Sequence, residues 1–268
     1  MTAISVFSTF TNTTNNQILR MKNLNHIYML SDSQLSSLES DEFIPLPGFY
    51  QKIFYSQPAS IVMGVSGTYD IGVKIIMKAL ELIANNDEIK KSRNQEEKIL
   101  KINSEIEIAV KTFHQNNFKT NTTIIYNTVC NKSFKTIKFK VLKNRIIQEP
   151  IIINPTEKIG VTFDGMDGGP YKNFLEEFEK TVDKNENSSK TFFRGFVKFL
   201  ESNIPNCSGL PCQGVIMDKY GKIKVLSIKH SNDKFYKLGV EHTNRVFLRH
   251  EIDYRDYQFT FLTKSNIK

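Results

Sequence analysis

ASIVMGVSGTYDIGVKIIMKALELI, residues 59–83, changes its hydrophobic period in the middle. Up to Gly67 almost every residue is apolar or small, as in a strand covered on both faces. After Asp70, a good N-cap residue, Ile71, Ile75, Ile76, Ala79, Leu80 and Ile83 fall at helical spacing. The stretch reads as strand, small-residue turn and helix. Such a helix carries one apolar stripe and needs a sheet to lay it on.

Upstream, QKIFYS (51–56) is strand-like and joins residue 59 tightly through Gln57-Pro58. Before it lies LSSLESDEFIPLPGFY (35–50), which reads as a loop with two prolines. HIYML (26–30) and AISVFSTF (3–10) read as half-buried strands separated by a polar gap, a hairpin with a long connection. Downstream, NNDEIKKSRNQEE (85–97) is a charged linker. A second helical stripe follows at Ile99, Ile102, Ile106, Val110 and Phe113.

Residues 122–130 and 134–142 are β-branched and read as a hairpin. Strands are expected at 151–153 and 159–164 around Asn154-Pro155, then helices at 171–182 and 190–203. NIPNCSGLPCQ (203–213) is a loop, 214–228 a hairpin turning near Tyr220-Gly221, and 244–262 two terminal strands. Helices standing between blocks of antiparallel strands imply an α+β, four-layer αββα sandwich, two sheets face to face with helices outside. One domain over 1–268 is expected, with an extended β tail from about 229.

With 268 residues and 40% hydrophobic content, the chain can bury a core and is not compositionally disordered. The net charge of +8 is spread along the chain without a basic block, so nucleic acid is not an expected partner. No run has the length of a membrane span and the start lacks a signal-peptide pattern, so a cytoplasmic protein without membrane partners is expected. Cys130, Cys207 and Cys212 are too few for a disulfide framework and lack a second pair for zinc. His26, His114, His230, His242 and His250 show no paired spacing, so neither metal nor cofactor is expected. There is no P-loop and no G-x-S-x-G elbow.

The order of elements resembles the proteasome β-subunit and HslV peptidase family of N-terminal-nucleophile hydrolases. Thr2 follows Met1, whose removal would free its α-amine. HIYMLSDSQ ends its strand in Asp32, QKIFYS places Lys52 just before a strand, and GTYD (67–70) is similar to the GTAD-type turn of HslV. DGMDGGPYKNFLEEFE (164–179) resembles the family's GSGGPYA turn and helix. NCSGLPCQGVIMDKYGKIKV (206–225) resembles its closing strand pair, with Ser208-Gly209 in the polar turn. The resemblance covers roughly residues 2–228.

It implies a threonine peptidase or amidase in which Thr2 is the nucleophile, Lys52 the neighbouring cation and Asp32 its partner. Backbone N–H groups around Ser66-Gly67 would hold the oxyanion, with Ser208 and Asp167 in support. It further implies a peptide or unfolded-protein substrate, a homo-oligomeric ring and an AAA+ ATPase partner. The chain departs from the pattern where Gln34 replaces an Arg, Ser66 a Gly and Asp167 a Ser, and where Pro205-Asn206 offers no acid. Two other readings stay open. A non-catalytic ring subunit predicts a ring without a reactive N-terminus. A basic α+β domain predicts a monomer whose binding is strongly salt-dependent.

Overall fold

The computed structural model describes residues 4–10, 24–39, 42–113, 121–142, 145–151, 161–165, 168–181, 188–202, 204, 208–230, 234–242 and 252–256. In chain order the strands begin with β1 (Ile4–Phe10), β2 (Leu24–Ser31), β3 (Ser36–Glu39), β4 (Glu42–Pro45), β5 (Ile53–Ser56) and β6 (Ile61–Gly67). Helices α1 (Tyr69–Asn85), α2 (Asp87–Lys91) and α3 (Gln95–Phe113) follow. Then come β7 (Thr122–Cys130), β8 (Ser133–Leu142), β9 (Arg145–Ile151), β10 (Val161–Asp164), α4 (Gly168–Thr181) and α5 (Ser188–Glu201). The chain closes with β11 (Gln213–Asp218), β12 (Ile223–Lys229), β13 (Phe235–Lys237), β14 (Val240–His242) and β15 (Ile252–Asp256).

Two sheets carry the architecture. One runs β10-β1-β2-β11-β12-β13-β14, with β15 also on β12; the other runs β5-β6-β7-β8-β9. Alternation along each strand divides the apolar residues between two faces. On β2, Ile27 and Met29 enter the layer between the sheets with Ile4, Val6 and Val62, while Tyr28 and Leu30 face a helical layer. On β6, Val62 points inward, and Ile61, Met63 and Val65 meet Ile75, Ile76, Ala79, Ile102 and Ile106 of α1 and α3. On the opposite side α4 and α5 close over the first sheet. Tyr171 stands edge-on to Phe192 and Phe196 at 6.0 and 5.0 Å there. Three apolar layers separate four structural ones, and the αββα sandwich is the observed fold.

Several local expectations are corrected. Residues 35–50 are not wholly loop, since β3 and β4 form a two-stranded hairpin whose base continues in the bond from Leu46 N–H to Leu35 O, 2.8 Å. The linker 85–97 contains α2, held by the Asn86 side chain accepting from Glu88 N and Ile89 N and by the burial of Ile89. Thr68, not Asp70, precedes α1, and Asp70 lies in its first turn, where a carboxylate suits the helix dipole. Of the strand expected at 151–153 the described residues hold Ile151, the last residue of β9, which pairs with β8, whereas β10 pairs with β1 in the other sheet. Within the β tail expected from about 229, β13 and β14 form a short antiparallel pair. Of 244–262 the described residues hold β15, which runs parallel to β12 in a sheet otherwise antiparallel.

Candidate active site

Asp32 stands where β2 ends and Lys52 where β5 is about to begin, and both are fully buried. Lys52 Nζ lies 2.8 Å from Asp32 Oδ2 and also donates to the Gln34 carbonyl. Gln34 N–H donates to the same Asp32 oxygen at 3.1 Å. The Lys52 carbonyl accepts from Val65 N–H at 3.0 Å, which binds this segment to the strand leading into the Ser66-Gly67 turn. Two charges in a dry interior are tolerated only with such pairing and hydrogen bonding.

Gln213, at the first position of β11, ties the two sides together. The two hydrogens of its Nε2 are shared among Asp32 O at 2.8 Å, Ser33 Oγ at 2.9 Å and Tyr50 O at 3.0 Å. Its Oε1 accepts from Lys52 N–H at 2.9 Å and Ile53 N–H at 3.2 Å. Nothing in the sequence singled this residue out, beyond its being a polar side chain opening an otherwise apolar strand.

A cavity of about 1290 Å³ opens beside this pair. Leu35, Leu46, Tyr50 and Tyr69 form one side, while Lys138, Lys140 and Asp164 stand with Ser66 and Gly67 on the others. Asp32 and Lys52 do not line it. Ser66 Oγ donates to Asp164 Oδ2 at 2.5 Å, and Asp164 Oδ1 pairs with Lys138. Asp164, at the end of β10, sits across from Ile4 in the register, and Ile4 on its other side faces Ser31, the neighbour of Asp32. The Tyr69 phenol donates to Gln51 O at 3.0 Å; burial, then the Asp70 charge, raise its pKa.

Of the residues expected at the site, Asp32 and Lys52 are in contact, and Ser66 and Gly67 line the cavity. Ser208 is buried nearby on the segment before β11, and its Oγ has no hydrogen-bond partner among the described residues. Thr2 and Asp167 lie outside the described residues, as does the Pro205-Asn206 position. Asp164, Lys138 and Gln213 were not foreseen. An Asp ending a strand before a Gly-rich turn was the available signal for Asp164, but it equally describes a capped turn.

Gly67 is demanded by its backbone. Its φ is +87°, and a Cβ would stand 2.1 Å from the Asn121 carbonyl oxygen. Gly67→Ala is expected to cost on the order of 2 kcal/mol or more. Urea unfolding checks this, and an unchanged midpoint would show that the turn tolerates a side chain.

Cys212, fully buried beside this network, is no rival nucleophile. Burial first, then the Asp32 charge, push its thiol well above the usual range. Among the described residues no cluster of His, Cys, Asp and Glu could hold a metal ion.

This double sheet with its flanking helices defines the fold of the N-terminal-nucleophile hydrolases. No protein-family model matches the chain, and no curated protein matches its sequence. Among solved structures it is similar to an Anbu (Gly-1) mutant from Hyphomicrobium sp. strain MC1, with a TM-score of 0.51 and 11% identity over 89% of this chain and 87% of that one. Anbu (ancestral beta-subunit) from Yersinia bercovieri gives a TM-score of 0.51 and 11% identity over 88% and 87%. At such identity the likeness establishes the fold and nothing finer.

Proposed function

We propose that the chain is a threonine-type peptidase that hydrolyses peptide bonds through Thr2 once Met1 is removed. The observation that carries this reading is the buried Asp32–Lys52 pair, set where β2 ends and β5 starts. The start of β1 lies beside it, since Ile4 is in register with Ser31. Chain length alone keeps the Cα of Thr2 within about 7 Å of that of Ile4.

The chemistry follows from the groups available. A Thr hydroxyl needs a base within reach, and a free α-amine has an unperturbed pKa of about 7.7–8.0. The Lys52 ammonium nearby disfavours a second positive charge and keeps that amine neutral. As Thr2 Oγ bonds to the substrate carbonyl carbon, its proton passes to the amine and the carbonyl oxygen becomes an oxyanion. Backbone N–H groups around Ser66-Gly67 stabilise that oxygen. The carbon–nitrogen bond then breaks, the amine returns the proton to the leaving amine, and an ester remains. A water molecule, deprotonated by the same amine, then attacks the ester carbon; the bond to Thr2 Oγ breaks, Oγ takes the proton back from the amine, and the acid product leaves.

We further propose a homo-oligomeric ring acting on unfolded protein, with an AAA+ ATPase as feeder, as the resemblance of the Asp32, Lys52 and 67–70 segments to the proteasome β-subunit and HslV family implies. A non-catalytic ring subunit is the second reading. It is favoured by one observation: the Ser66 hydroxyl is committed to Asp164 beside the cavity. Cleavage of fluorogenic peptide amides, with sedimentation to size the particle, separates the two. Turnover by the parent and none by Thr2→Ala supports the peptidase. A ring without turnover favours the structural subunit, and an inactive monomer removes both.

A further inference from the structure

We propose that Gln213 is a positioning residue for this chemistry, acting through the Asp32–Lys52 pair; the inference rests on the Thr2 reading above. The two charges lie twenty residues apart in the chain and on different sheets' margins, so their own contact does not fix the two backbone segments that carry them relative to each other. Gln213 does. One face of its amide holds Asp32 O, Ser33 Oγ and Tyr50 O, and the other holds the N–H groups of Lys52 and Ile53.

The amide orientation is dictated by chemistry: carbonyl acceptors require the nitrogen, and backbone N–H donors require the oxygen. Gln213 is fully buried, so no water substitutes for any of these bonds. No other side chain meets the same demands. Glutamate would turn an acceptor on two carbonyls and add a charge beside Asp32. Leucine would remove all five bonds. Asparagine keeps the amide but is one methylene short, so it serves one side of the span and releases the other.

The backbone around the clamp is equally close. A Cβ on Gly239 would meet Ser33 Oγ at 2.5 Å, and one on Gly209 would meet Gln34 Oε1 at 1.8 Å. The turn of the β13–β14 hairpin and the segment before β11 thus press on residues 33–34 from outside, while Gln213 holds them from within. A lysine shifted by about 1 Å in such a site lowers reaction rates by about 100-fold. It also loses part of its influence on the neighbouring amine.

The test uses the full chain with Gln213→Asn and, separately, Gln213→Glu. The rate of Thr2 modification by a peptide epoxyketone is followed by intact mass from pH 5.5 to 9. The expected result for folded Gln213→Asn is a rate lower by about 100-fold, with the pH midpoint moved by about half a unit or more. Gln213→Glu should move that midpoint upward, because a negative charge favours the protonated amine. A folded Gln213→Asn protein with the parent's rate and midpoint overturns the inference.

Thermal unfolding of Lys52→Met, Gln213→Asn and the double variant supplies a readout independent of activity. The Gln213 change should lower the melting temperature less in the Lys52→Met background than in the parent, and additive effects overturn the inference. If the parent protein forms no adduct, the Thr2 reading fails and this cycle alone decides whether Gln213 holds the pair.

Discussion

Lys52→Met is expected to cost about 3–5 kcal/mol of stability and to slow acylation of Thr2 by about 10²–10⁴-fold. The stability loss arises because Asp32, fully buried, keeps its carboxylate and loses the ammonium at 2.8 Å. Neutralising both partners separates the two effects. In Asp32→Asn with Lys52→Met no charge is stranded, so much of the stability returns, while reactivity does not. Chemical denaturation and the epoxyketone rate, measured on the same preparations, check this. Recovery of reactivity in the double variant would show that the pair is a structural brace without a part in the chemistry.

Acidification is expected to destabilise the fold through His230. Burial holds its imidazole at about 4, against the opposing pull of the Cys212 backbone, where the ordinary value is 6.5. The ring stands edge-on to Tyr236 at 5.3 Å. The unfolded chain binds the proton at about pH 6.5 and the folded chain only near pH 4. Between those values the unfolded state carries more protons, so stability is complete above about pH 6.5 and falls as pH drops towards 4. The full effect is on the order of 3 kcal/mol, about 2 of it reached by pH 5. Urea titrations at pH 7.5 and 5 measure it, with His230→Phe as the comparison. The variant should lose about 2 kcal/mol less over that interval; equal losses would assign the acid sensitivity to other groups. Cys212 directly precedes Gln213, so acid acts on the same segment that holds the Asp32–Lys52 pair.

The sandwich was legible in the sequence because its signals are collective. The change of period at Gly67, the stripes of α1 and α3, and the β-branched run of β7 and β8 each follow from many residues on one face. Short elements were not legible. Helix α2 is five residues long with one buried side chain, Ile89, and its real signature is the Asn86 cap. The β3–β4 hairpin lies in a mixed polar stretch ending in Pro45 and Pro47, which suggests a loop to any reading by composition. Strand β15 pairs in parallel with β12, a contact that no local pattern encodes.

The site divides in the same way. Asp32 and Lys52 were found through their order relative to neighbouring elements, since an Asp after a strand or a Lys before one is ordinary. Gln213, Asp164 and Lys138 escaped because their partners are distant in sequence: the Gln213–Asp32 bond spans 181 residues and the Ser66–Asp164 bond 98. Only folding brings such groups together. The replacement of a family glycine by Ser66 was visible, yet not that its hydroxyl would engage Asp164.

In the proposed mechanism Thr2, with a free α-amine, is the nucleophile beside the Asp32–Lys52 pair. The most direct measurement is the intact mass of the purified chain after incubation with a peptide epoxyketone, a reagent that requires a hydroxyl and a free amine on one residue. A mass lacking Met1 and carrying a single adduct, absent from Thr2→Ala, is expected. A chain that has lost Met1 and takes up no adduct would contradict the proposed mechanism.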